Sequence, residues 1–249
     1  MTGKVTIAGL GPGADAFITP SVAEAVSHAT DVIGYIPYVK RITPRDGLTL
    51  HASDNRVERE RAAHALDLAA DGKQVVVVSS GDPGVFAMAA AIFEVLEENL
   101  DKWGHIDIEV LPGITAMLAA AARAGAPLGH DFCTINLSDN LKPWTVIEKR
   151  LRLAAEADFA MAFYNPRSKS RPEGFEKALT LLKSICGDNR PVIFARAVST
   201  SEETLRTVPL QDTSADMADM RTVVIVGSSQ TRTINTKAGA WVYTPRTYG

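Results

Sequence analysis

Residues 75–78 are four valines in a row, with Gln74 before them and Ser79-Ser80-Gly81-Asp82-Pro83-Gly84 after. A β-branched run without polar alternation reads as a strand buried on both faces. Such strands belong to parallel sheets, whose crossover connections lay helices over each face. The remaining hydrophobic pattern agrees. Strands are expected at 3–10, 31–35, 74–79 and 106–111, separated by helices at 19–29, 57–70 and 85–100. The helix at 57–70 carries an apolar stripe of Ala62, Ala65, Leu66 and Ala69. Thr19-Pro20 supplies a cap followed by proline at the first helical position. After Pro112-Gly113 the order repeats, with helices at 115–124, 143–157 and 172–185 and strands at 132–137, 159–164, 191–196 and 222–226. Short strands at 204–208 and 240–243, with no long helix between them, make the second sheet mixed. The expected fold is α/β in two α/β domains, 1–114 and 115–249.

The 249 residues, 46% hydrophobic and 22% charged, are enough to bury one large core or two medium ones. No apolar run is long enough to span a bilayer, and the N-terminus lacks a leader pattern, so a cytoplasmic address is expected. Cys133 and Cys186 are the only cysteines and cannot by themselves form a structural zinc site; both are expected as buried small hydrophobes, with no metal. A net charge of −3 disfavours nucleic acid. The charge is uneven, however. Residues 159–172 hold Arg167, Lys169 and Arg171 without an acid, and 221–249 hold four basic residues and no acid. Local positive surface on an acidic chain suits an anionic small molecule.

Three glycine turns follow expected strands. They are Gly9-Leu10-Gly11-Pro12-Gly13, Gly81-Asp82-Pro83-Gly84-Val85 and Pro112-Gly113-Ile114-Thr115-Ala116. Glycine lets backbone N–H groups approach a ligand closely. The first turn fits a dinucleotide fingerprint poorly: its third glycine comes one residue early, and no acid ends the following strand. Each turn alone could be an ordinary strand-to-helix connection, with Asp82 or Thr115 as helix cap.

Together, in this order, the three turns resemble the tetrapyrrole methylase family. Further pieces fit the members acting on precorrins of corrin-ring (cobalamin) biosynthesis, in particular those methylating carbon 17 with ring contraction. These are Ile33-Gly34-Tyr35 with Tyr38, Leu137-Ser138-Asp139 with Pro143-Trp144, the run from Tyr164 to Arg171, and Tyr243-Thr244-Pro245-Arg246. Two departures stand out. Ile36 replaces an acid of the uroporphyrinogen methylases, and Gly227-Ser228-Ser229 stands where Gly-Asn-Ser is expected. The resemblance implies two α/β domains of the class III methyltransferase type, with S-adenosylmethionine in the cleft between them. It implies cofactor contacts at Pro12, Gly81, Asp82, Val85, Thr115, Ala116, Asn165, Ala197 and Gly227, and a homodimer. An anionic tetrapyrrole would meet Arg167, Arg171, Arg196 and Arg246, with Lys169 and Arg232 as further candidates. Proton transfer in ring contraction points to Asp139 and His130, with Asp131 and Tyr164 also near expected loops. The alternatives are another precorrin methylase, an RNA or diphthamide methylase, a nucleotide-dependent oxidoreductase, and a non-catalytic tetrapyrrole carrier.

Overall fold

The computed structural model describes residues 3–54 and 57–248. The chain divides into two compact units, Met1–Thr115 and Ala116–Gly249.

In the first unit the elements run β1 (Lys4–Gly9), α1 (Pro20–His28), β2 (Asp31–Tyr35), α2 (Ile36–Val39), β3 (Thr49–Ser53), α3 (Glu58–Ala70), β4 (Gln74–Ser79), α4 (Met88–Glu97), α5 (Leu100–Trp103) and β5 (Asp107–Leu111). The sheet order is β3-β2-β4-β1-β5, parallel throughout. The four valines divide by parity. Val75 and Val77 join Val5, Ile7 and Ile33 in a core with α3, α4 and α5. Val76 and Val78 join Ala8, Leu10, Val22 and Val32 in a second core. The expected stripe on α3 is buried, and Thr19 Oγ1 accepts from Val22 N at 3.3 Å as the cap of α1.

The second unit comprises α6 (Ala116–Ala124), β6 (Gly125–Ala126), β7 (Phe132–Asn136), α7 (Trp144–Glu156), β8 (Ala160–Tyr164), α8 (Gly174–Ile185), β9 (Pro191–Arg196), β10 (Thr204–Pro209), β11 (Thr222–Val226), β12 (Arg232–Thr236) and β13 (Gly239–Tyr243). Its main sheet, β10-β9-β11-β8-β7, is mixed: β7 and β8 are parallel, and the remaining pairs antiparallel. Because β8 and β9 both oppose β11, they run in the same direction. The carboxyl ends of β7, β8 and β9 therefore share one edge of the sheet. A core of Phe163, Phe175, Leu151, Leu179 and Val224 lies against α7 and α8.

Four expectations need correction. The strand near 240 leaves the main sheet and pairs with β12 and β6 in a separate three-stranded sheet. The helix expected from 85 starts only at Met88, because Phe86 takes a left-handed φ of 55°, and it ends at Glu97 before the separate α5. β3 and β12 were not expected: β3 is only partly buried and β12 is exposed along its length, so neither carries a hydrophobic run. Cys186 is buried but Cys133 only half so; burial pushes both thiols up.

Phe175 and Phe194 meet edge to face at 6.2 Å between ring centroids. Phe175→Ala should cost about 3–5 kcal/mol in the second unit, read from the denaturant midpoint of its transition. A loss below about 1 kcal/mol would mean that this contact is not central to the core.

Candidate functional site

The three glycine turns follow β1, β4 and β5, which lie side by side in the order β4-β1-β5. In a parallel sheet this places all three at the carboxyl edge, where α/β proteins hold ligands. The turns also touch. Gly11 and Gly81 exchange backbone hydrogen bonds, Gly81 N donating at 2.8 Å and Gly11 N at 3.2 Å. Both adopt the left-handed region, with φ of 68° and 65°. A Cβ on Gly113 would stand 2.2 Å from Gly81 O, and one on Gly9 2.5 Å from the same oxygen. Only bare backbone allows this approach.

Asp82 fastens the second turn to the third. Its Oδ1 accepts from Gly84 N at 2.8 Å and its Oδ2 from Gly113 N at 3.0 Å. The carboxylate thus serves as a tie between turns and does not cap α4. Val85 N donates to Asp82 O at 3.3 Å, and the half-exposed, left-handed Phe86 follows. Pro12 and Val85 are half-buried, and Thr115 is buried next to Ala116 at the start of α6.

In the second unit the carboxyl edge gathers most of the predicted residues. Asn165 (φ 51°), just past β8, donates to Asn136 Oδ1 at 3.1 Å at the end of β7. Ala197 (φ 48°) and Ser199 (φ 65°) follow β9. Left-handed non-glycine backbone is strained and collects at functional sites. Tyr164 Oη accepts from Met117 N at 2.9 Å, pinning the first turn of α6 to this edge. Arg171 is largely buried, donates to Asn165 O at 3.4 Å and stands 4.0 Å from Asp139. Arg167 has its Nε buried without a hydrogen-bond partner. Arg196 is engaged by Asp219 at 2.7 Å, with Glu202 at 3.9 Å. Desolvation alone would raise the Asp219 carboxyl, but hydrogen bonds from Arg196 and Thr222 outweigh it and hold the group low.

Three predicted residues lie elsewhere. Gly227 N donates to Pro191 O at the start of β9, so Gly227 is at the amino edge, roughly 20 Å along the strand from Ala197. Its backbone is pressed against Thr231, where a Cβ would come within 2.5 Å of the side chain. His130 lies just before β7 at the same edge, its Nδ1 accepting from Asp131 N at 2.7 Å. Exposed Arg246 is two residues from Tyr248, whose hydroxyl reaches Asp158 at 3.0 Å ahead of β8. The structure does not bring these three to Asn165 and Ala197.

A family model described as tetrapyrrole (corrin/porphyrin) methylases matches residues 4–214. The chain belongs to the tetrapyrrole methylase family. Over its full length it is 51% identical to a precorrin-3B C(17)-methyltransferase of a Sinorhizobium species, covering 98% of that protein. Among solved structures, the methyltransferase CobJ is 62% identical with a TM-score of 0.94, the match covering 98% of this chain and all of the other. A uroporphyrin-III C-methyl transferase from Thermus thermophilus, complexed with S-adenosyl homocysteine, matches at 20% identity and a TM-score of 0.64 over 90% of this chain and 92% of that one, which shows a shared fold.

Two residues of this tetrapyrrole methylase escaped sequence reasoning. Lys142 donates to Ser138 O at 3.2 Å, and its ammonium pKa is pushed down, first by burial and then by Arg150 and Arg171. Asn136 supplies the acceptor that orients Asn165. The signal available for both was their place beside the motif residues Asp139, Pro143 and Trp144. Among the described residues, no helix is long and apolar enough to cross a membrane.

The tie made by Asp82 is testable. Asp82→Ala leaves the Gly84 and Gly113 amides without their acceptor and should cost about 1–3 kcal/mol, with faster hydrogen exchange at Gly113. Asp82→Asn, which keeps one acceptor oxygen, should lose less. Unchanged protection of the Gly113 amide in Asp82→Ala would rule the tie out.

Proposed function

We propose that this chain is an S-adenosylmethionine-dependent C-methyltransferase that methylates precorrin-3B at carbon 17, with ring contraction to precorrin-4, in cobalamin biosynthesis. The observation that carries this reading is the end-to-end match to a precorrin-3B C(17)-methyltransferase, with half of all residues identical. The meeting of the three glycine turns at one sheet edge supports the donor site.

The residues present fit such a donor. The sulfonium supplies an electrophilic methyl group, and its transfer consumes positive charge, so the protein needs to position and desolvate more than to exchange protons. Backbone-lined turns with no Cβ in the way are suited to that. Pro12, Gly81, Asp82, Val85 and Thr115 are the first unit's candidates for donor contacts, with Asp82 holding the turns together, and Ala116 is the residue that follows them. Phe86 offers apolar surface beside them. Asn165 and Ala197, with their left-handed backbone, are the second unit's candidates for cofactor contact.

Precorrins carry many carboxylates, and guanidinium groups bind carboxylates in a bidentate fashion. Arg167 and Arg171 are the strongest candidates, because Arg196 is already neutralised by Asp219 and Glu202. Asp139, 4.0 Å from Arg171, is the candidate for proton transfer at this edge. His130, expected to take part in proton transfer, and Arg246, expected to meet the substrate, lie at the opposite edge of this sheet. The chain is proposed to act as a homodimer: Ile234 and Trp241, cross-strand neighbours on β12 and β13, are both exposed, giving apolar surface that a second copy would cover.

Incubation with precorrin-3B and methyl-labelled S-adenosylmethionine should yield a product one methyl heavier. Carbon 20 should move from the macrocycle into an acetyl substituent, as followed by carbon-13 NMR. Methylation without contraction would indicate another precorrin methylase, and binding without label transfer a carrier. Arg171→Ala should raise KM for the tetrapyrrole about tenfold or more, with KM for the donor little changed.

A further inference from the structure

Arg41 lies outside every motif that carries the family resemblance, yet its guanidinium lies on the first glycine turn. Nη2 donates to Leu10 O at 2.8 Å and Nη1 to Gly11 O at 3.4 Å, with exposed Asp15 3.4 Å from Nη2. The side chain is only 20% exposed. It reaches the turn from the segment just after α2, where Arg41 N donates to Tyr38 O and Ile42 N to Val39 O. Gly11 O also accepts from Gly81 N at 2.8 Å, and lies 3.5 Å from Ser80 Oγ. Arg41 is therefore bonded to the carbonyl through which the first turn meets the second.

We infer that Arg41 is a positioning residue for the methyl donor, acting through the backbone of the first turn without touching the donor itself; this rests on the donor site proposed above. The physical case has two parts. The left-handed φ of Gly11 (68°) is reached through a flexible residue, so something must select it from the conformations glycine allows. A planar fork that grips two consecutive carbonyls fixes both peptide planes on either side of that residue at once. A lysine at this place has a point charge and could hold only one of them well. Fixing those planes also fixes Pro12 and Gly13, the part of the turn left for a ligand. The Asp15 pair, with its carboxylate exposed, adds little.

The test is calorimetric titration of full-length protein with S-adenosylhomocysteine, alongside steady-state kinetics. Arg41→Ala should weaken binding about 10- to 100-fold, the loss expected for charge-assisted bonds to carbonyls. It should raise KM for the donor and leave KM for the tetrapyrrole within about twofold. Arg41→Lys should fall between Arg41→Ala and the wild type, and serves if the alanine variant does not fold. Wild-type affinity in either variant overturns the inference, as does an equal rise in both KM values. Failure of the wild-type protein to bind S-adenosylhomocysteine would instead sink the donor site itself.

Discussion

The close approach of three peptide backbones at the carboxyl edge of β4, β1 and β5 governs the first unit's site. Gly81 O stands so close to Gly9 and Gly113 that a methyl group on either would overlap it. The sheet order creates this closeness. Adjacent parallel strands emerge about 4.8 Å apart, so turns leaving three neighbours must either diverge or pack. Glycine permits the second outcome, and the Asp82 carboxylate fixes it with one bond within its own turn and one across to the third. Turn chemistry and sheet topology are therefore one constraint. Any residue with a Cβ at Gly113 would have to push the strand ends apart, and the surface offered to a ligand would change with them.

The second unit reaches a comparable edge by a different route. Its sheet is mixed, so two of the five strand ends that a parallel sheet would gather are turned away. β7, β8 and β9 point one way and β11 the other. This direction decides which motif residues can act together. Asn165, Ala197, Arg167, Arg171 and Asp139 follow strands of the first kind. Gly227 follows β11 and is carried to the far edge, where Ser229 accompanies it on Asp158. Ser229 thus belongs to a structural junction with Asp158 and Tyr248, whereas Ser228, the serine that departs from the Gly-Asn-Ser pattern, is buried against Thr231; both lie apart from the edge that holds Asn165, Ala197 and Ser199.

Much of this was legible in the sequence where burial imposes a pattern. The valine run announced a doubly covered parallel strand, and its four side chains are shared out between two cores. The alanine-leucine stripe of α3 and the Thr19 cap followed from the same kind of periodicity and chemistry. β3 and β12 were not legible, because an edge or exposed strand has no hydrophobic alternation to betray it. Nor was Arg41, since what it recognises is main chain, and a carbonyl leaves no mark in the sequence. Strand direction was the deeper omission. A short antiparallel strand gives no sign of which end of the sheet it finishes at, so Gly227, after β11, was grouped with residues that the topology places elsewhere; His130 precedes the same strand that Asp139 follows, a separation already legible in the sequence.

Charge at the second unit's carboxyl edge separates basic residues that composition treats as equal. Arg196 has its guanidinium pKa raised, first by its hydrogen bond to Asp219, and an anion arriving there would have to compete with that carboxylate. Lys142 is in the reverse condition. Burial and the neighbouring Arg150 and Arg171 depress its pKa, and Asp139 only partly offsets them. A cation held among cations is stabilised most by gaining an anion, because the new charge relieves desolvation and repulsion together. At Lys142 burial and two neighbouring guanidinium groups act on one charge together. Arg171 and Asp139, 4.0 Å apart, are the charged neighbours of this ammonium, so acid and base meet here at a wider spacing than the 2.7 Å of the Arg196–Asp219 pair.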